Sequence, residues 1–374
     1  MITIRKYHKE RFFFLIILST ILIAFSRNVR QDPPQNGHQS IQIRGVYGNP
    51  QDLWQKGFYL PDMGINAVFI RNSSMNHNIV DRAREEGQMV FVEFPVLNGT
   101  SYVEEHPEAW AINEHGERVE SAGWFMGICP TDPRFRAHRI AQLETLLNQY
   151  AIDGIFLDYF HWHAQFEDPH PILPETCFCD RCLAAFEAYT GHHLKDSNTS
   201  DISKVILEYH DTEWRDWRCA VLNGWASDFK RIVTSHNPDI VLGLYHCPWD
   251  DHEFDGARRN ILGLDYDLLR EHVDVFSPMV YHARMGRSPE WIRENIEWFS
   301  ERINSGFAKE VSIWPIIQVH DDPYDITEDE FQSLFLYGAA GDATGIMVFT
   351  SASIAEDAEK ARLLQTIYLN WSNR

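Results

Sequence analysis

Positive charge is what this chain has least of. It carries 33 Lys and Arg against 54 Asp and Glu, a formal net charge of −21 at pH 7. A field of that sign repels phosphate backbones, and the sequence shows no basic stripe, zinc-finger spacing or P-loop. Nucleic acid is therefore not an expected partner. Neutral sugars are indifferent to such a field. Also missing are a G-x-S-x-G elbow, an H-E-x-x-H helix and any internal repeat.

Long apolar runs are scarce. The candidate "FFFLIILSTILIAF" has 14 residues, short of the roughly 20 that a membrane-spanning helix needs. It follows the basic "MITIRKYHKER" and ends at "AFS", Ala24–Ser26, with small residues suited to cleavage. Residues 1–26 thus read as a signal peptide or, if uncleaved, an N-terminal membrane anchor. A polar linker, 27–40, leads into one domain, 41–374. Either outcome predicts a folded part outside the cytoplasm, secreted or associated with a membrane through its N-terminus.

What is present is a regular alternation. Short β-like runs at 41–48, 65–72, 88–96, 153–160, 240–249, 273–282, 311–320 and 345–351 are separated by helical stretches such as 133–150 and 289–303. The longest helical pattern spans 202–235. Eight such units predict a single (β/α)8 TIM barrel, an α/β fold whose working face is built from the loops after each strand. An open doubly wound sheet ranks second, because "GVYGNPQ" after the first run is not a G-x-G-x-x-G phosphate turn. Two connections are long, 97–132 after strand three and 161–201 after strand four; loops of that length in a compact domain usually carry function.

In a barrel, polar residues at the strand ends converge on one cleft. Those residues are Arg71, Glu93, Asp158, His161, Trp162, Tyr245, His246, Trp249, Asp250, Tyr281, His282 and Gln318. Carboxylates among aromatics compose a carbohydrate cleft, in which rings stack on sugar faces and acids break the glycosidic bond. Asp158 closes the apolar run "DGIFLDYF", where an unpaired carboxylate is costly to bury. Glu93 lies in "FVEFP", and a buried Glu with a raised pKa suits a general acid. Asp250, after the fifth run, is the other candidate partner for Asp158. Hydrolysis requires two carboxyl groups, about 5–5.5 Å apart for retention of configuration or about 6.5–9.5 Å for inversion.

The segments "LLNQYAIDGIFLDYFHW", "HPEAWAINEHGERV…CPTDP", "CFCDRC" and "VDVFSPMVYH" together resemble a family of bacterial glycosyl-hydrolase-like (β/α)8 barrels, over most of 42–352. Chitinase-like barrels carry D-G-x-D-x-D-x-E on the fourth strand. Asp153, Gly154 and Asp158 fit that pattern, whereas Phe156 and Phe160 replace its middle Asp and its Glu, which disfavours substrate-assisted chemistry. Asp158 instead resembles the fourth-strand nucleophile of α-galactosidase-like and α-fucosidase-like barrels. The resemblance implies an exported glycoside hydrolase acting on a poly- or oligosaccharide. A non-catalytic carbohydrate-binding barrel is the alternative, and it predicts an Asp158 without a carboxylate partner. Asp153, before the strand, is expected at the opposite end of the barrel.

No cofactor is expected for catalysis. Cys177, Cys179 and Cys182 form C-x-C-x-x-C, most of a structural zinc site that Cys129 or His170 could complete. In an exported chain two of them could equally form a disulfide. The paired His192–His193 has no chemical partner in the sequence and reads as surface loop.

Overall fold

The computed structural model describes residues 40–194, 198–307 and 309–373. The expected signal or anchor segment lies outside the described residues. Among the described residues no helix is long and apolar enough to cross a membrane.

Each apolar run forms a strand inside its predicted limits. These are β1 (Ile43–Tyr47), β2 (Ala67–Arg71), β3 (Met89–Pro95), β4 (Gly154–Asp158), β5 (Val241–His246) and β6 (Val275–Val280). The seventh run splits into β7 (Ser312–Ile313) and β8 (Ile316–Gln318), and β9 (Gly345–Phe349) is the last. The split falls at Trp314–Pro315, since proline has no N–H to give to the ladder. All pairings are parallel. β1 bonds both β2 and β9 while β5 bonds β6, so the sheet closes on itself as a (β/α)8 barrel.

Helices cover the outside. α1 (His77–Glu85) is capped by Asn76, and α2 (Pro133–Gln149) by Asp132, whose carboxylate accepts from the Arg134 and Phe135 N–H groups. The connection after β4 contains α3 (Asp180–Thr190), so it is less irregular than the sequence suggested. The long pattern at 202–235 is two helices, α4 (Thr199–Tyr209) and α5 (Asp211–His236), which break at His210 (φ −130°, ψ 22°). α6 (Glu290–Asn304) and α7 (Glu328–Gly338) follow β6 and β8.

The barrel interior is aromatic. Phe69 stacks on Phe91 at 4.7 Å between centroids, and Phe156 on Trp314 at 5.8 Å. Glycines make room for these rings: a Cβ at Gly45 would sit 2.5 Å from Phe69, and one at Gly243 2.4 Å from Phe156. The carboxylates enter above this layer, toward the C-terminal strand ends.

Candidate active site

Side chains on a strand alternate between faces. On β3 the ring of Phe91 fills the interior, so Glu93 and Pro95 face inward above it; on β4 Phe156 does the same beneath Asp158. These residues open into a cleft of about 390 Å³ at the C-terminal end of the strands. Tyr47, Arg71, Tyr245, Met279, Ile316 and Phe349 are further strand-borne lining, and the connections add Trp124, Tyr159, Glu167, Tyr281 and Arg284.

Glu93 is 6% exposed, and its Oε2 accepts a hydrogen bond from the Tyr47 hydroxyl at 3.2 Å. That hydroxyl in turn accepts from Arg71 Nε at 3.3 Å. Burial, and then the neighbouring charge of Asp158, push the Glu93 carboxyl up to about 8. Asp158 is partly exposed and rises to about 6 through desolvation, held back by hydrogen bonds from the Tyr159 N–H and from Glu93. The first of these measures 2.8 Å to Asp158 Oδ1. Of the two neighbouring carboxyl groups, Glu93 is the more strongly raised and therefore the one that keeps a proton. At neutral pH the arrangement is a protonated Glu93 beneath an ionised Asp158.

Glu167 is a third carboxylate, one that sequence reasoning missed. It sits in "HAQFEDPH", where nothing separates it from an ordinary loop acid. It bonds Arg284 Nη1 at 2.9 Å, and burial lifts it to about 7 against the lowering influence of that guanidinium. Arg284 lies over the Trp124 ring, 4.8 Å from its centroid. Trp124 itself is 48% exposed, a large apolar face presented at the cleft.

Of the residues expected at the site, Arg71, Glu93, Asp158, Tyr245 and Tyr281 line the cleft together. His161 borders a small adjoining recess, its Nδ1 2.8 Å from the Trp162 carbonyl, and burial brings it down to about 4. Six residues stand elsewhere. His246 follows the inward Tyr245 and so faces outward, packed on Tyr266 and Phe299 and hydrogen-bonded to the Tyr266 hydroxyl at 2.8 Å. His282 is fully buried against Glu330 of α7, 2.9 Å away. Trp162 is enclosed against Trp217 and Arg218, and Trp249 against Phe166 and Phe254. Gln318 is a brace, accepting from the Arg284 N–H at 3.0 Å and donating to the His320 carbonyl. Asp250 caps a turn, its Oδ1 taking the His252 and Glu253 N–H groups at 2.7 and 2.9 Å. Asp153 lies at the start of β4, bonded to the Val90 N–H and to Arg84, as expected for a turn at the far end.

A second cluster joins the connections after β3 and β4. Cys129, from the connection after β3, meets Cys177, Cys179 and Cys182, from the connection after β4, with all four sulfurs within 4.8 Å of one another. Cys129 Sγ is 3.6 Å from that of Cys179 and 3.5 Å from that of Cys182. A disulfide needs about 2.05 Å, so all four are free thiols. His170 is not part of the group.

No protein-family model matches the sequence, and no curated protein matches it. Solved structures do share the fold. The glycoside hydrolase domain of PgaB (BpsB) from Bordetella bronchiseptica aligns over 86% of this chain and 98% of its own, with 14% identity and a TM-score of 0.61. A β-galactosidase from the psychrophilic Marinomonas ef1 aligns over 87% of this chain at 12% identity, TM-score 0.62. Gan42B, a GH42 β-galactosidase from G. stearothermophilus, aligns over 89% at 14% identity, TM-score 0.63. This chain spans 58% and 56% of those two β-galactosidases. What this chain shares with them is the (β/α)8 barrel fold.

Proposed function

We propose that this protein is an exported glycoside hydrolase that cleaves a poly- or oligosaccharide in the cleft above β3 and β4. One observation carries the reading: three carboxyl groups, Glu93, Asp158 and Glu167, line a single cleft with their protonation shifted toward neutral pH. Displaced acids in one cleft mark catalytic sites more often than structural ones. A binding barrel that had lost its chemistry would have no reason to keep a carboxylate partner for Asp158.

The roles follow from the hydrogen bonds. Asp158, ionised above about 6, acts on the anomeric carbon as nucleophile or charge stabiliser. Glu93 stays protonated below that charge and does not compete with it, its Oε2 held by the Tyr47 hydroxyl, which Arg71 in turn positions. Glu167, near 7, is poised to protonate the departing glycosidic oxygen. Glu93 and Asp250 were the donors suggested by the sequence. Asp250 is replaced here because its Oδ1 is already taken by two backbone N–H groups. Trp124, Tyr159 and Tyr281 supply rings for stacking on sugar faces.

The test is hydrolysis of a panel of aryl glycosides and natural glycans by wild type and by Asp158→Asn. Turnover in the wild type that is lost in the variant supports the reading. Glycan binding without turnover in either would assign the non-catalytic alternative. Export is tested by locating the full-length chain after cell fractionation.

The four thiols are proposed to hold a structural zinc. A tetrahedral ion with Zn–S bonds of about 2.3 Å sets its sulfurs roughly 3.8 Å apart, close to the 3.6 and 3.5 Å found here. Four thiolates leave no open coordination position, so the ion would be structural and take no part in the chemistry. It would tie the connection carrying Trp124 to the one carrying Glu167.

A further inference from the structure

The end of α3 opposite its cysteines carries a second convergence of ligand atoms. Gly191 ends the helix in the left-handed region (φ 76°) and turns the chain so that His192 leans on the start of α5. There His210 precedes the first turn and Glu213 follows three residues on, which puts both on one face of the helix. His192 Nε2 is 3.5 Å from Glu213 Oε1, and His210 Nδ1 is 3.8 Å from Glu213 Oε2. The two imidazole rings lie 4.2 Å apart, centroid to centroid. One ligand atom from each residue falls within 4.8 Å of the other two.

One long hydrogen bond, His192 Nε2 to Glu213 Oε1 at 3.5 Å, accounts for only part of this grouping. The His210–Glu213 contact, at 3.8 Å, is beyond the range of a hydrogen bond, so the second imidazole points at the carboxylate without being satisfied by it. An ion with bonds of about 2.0–2.1 Å would set nitrogen and oxygen ligands roughly 3.4 Å apart in a tetrahedron, or about 2.9 Å apart at the right angles that nickel and copper prefer. Small side-chain rotations bring the three atoms to that spacing. Two imidazoles and one carboxylate match the borderline divalent ions, whereas calcium and magnesium favour oxygen alone.

We propose that His192, His210 and Glu213 form a surface site for a divalent ion of the zinc, nickel or copper class, with a fourth position open to water. The ion pins the C-terminal end of α3 to the first turn of α5. It adds to the packing of Phe186 on Trp214 and Trp217, whose centroids are 5.1 and 5.9 Å away. The paired histidines of the sequence thereby divide, His192 serving as a ligand and the exposed His193 not.

The test uses the full chain with its thiols first filled with zinc and free ion then removed. Calorimetric titration with Ni²⁺ is expected to give one further saturable site and a raised melting temperature. His192→Asn and His210→Asn should each weaken binding at least tenfold, and Glu213→Gln less so, while His193→Asn leaves it unchanged. In the wild type, bound Ni²⁺ should broaden the ring C–H proton resonances of two histidines, a readout that needs no variant. Absence of a saturable Ni²⁺ site in the wild type would overturn the proposal. So would unchanged affinity in both single histidine variants, or loss in His193→Asn alone.

Discussion

Glu93 and Asp158 stand on neighbouring strands one inward step apart. The register pairs Glu93 with Phe156 and Pro95 with Asp158, so the second carboxyl lies a layer above the first. The lower one is shielded by the aromatic floor and keeps its proton; the upper one meets the cleft and loses it. This vertical order underlies the predictions for both residues.

Asp158→Asn is nearly isosteric and removes the charge that the mechanism needs. Its kcat on any substrate of the wild type should fall by several orders of magnitude with the melting temperature almost unchanged, since loss of a group acting in the transition state appears in kcat. Steady-state kinetics beside a thermal melt checks both halves. A variant that retained full kcat would remove Asp158 from the chemistry.

Glu167→Gln should cost about 10²–10⁴-fold in kcat on substrates with poor leaving groups, the usual worth of a general acid. On aryl glycosides whose phenols leave readily the loss should be much smaller, because such groups depart without a proton. An equal loss across the series would make Glu167 a binding residue.

Glu93 couples stability to pH. Its carboxyl ionises at about 8 when folded, against an ordinary value near 4.5, so the folded chain holds this proton more tightly than the unfolded one. The stabilisation is complete at low pH and is lost as pH rises from about 4.5 through about 8, at no more than about 1.4 kcal/mol per pH unit. Glu93→Gln has no such proton to lose. The melting temperature of the variant relative to wild type should therefore climb between about pH 5 and pH 8; a flat difference would contradict the shift.

Purified protein should contain about one zinc equivalent bound by Cys129, Cys177, Cys179 and Cys182, and chelation should lower its melting temperature, because a structural metal's binding energy is folding energy. Cys129→Ser should do the same. Mass spectrometry under non-reducing conditions that found a bond between two of these cysteines would end the assignment.

The barrel was legible because its strands are short apolar runs bounded by turns and separated by helical periodicity, a signal that survives without any relative for comparison. The site was legible only in part. Tyr245 and His246 are adjacent on β5, where only one of the two can face inward, and only the packed structure says which. Tyr281 and His282 lie just past the end of β6, where tight turns back to Met279 and Val280 set their directions. Trp162 and Trp249 carry no mark in sequence to separate a stacking platform from core. Glu167 was invisible for the opposite reason: a loop acid gains its meaning from the burial and the Arg284 that folding brings to it.

The stacked rings of Phe69, Phe91, Phe156 and Trp314 make the barrel a vessel with a sealed base. Glu93 lines the cleft directly above those rings, so its proton meets solvent through the same mouth that Asp158 does. A glycan seated there would stopper that route. The lower carboxyl would then lie between the aromatic base and the sugar, apart from bulk water until product leaves.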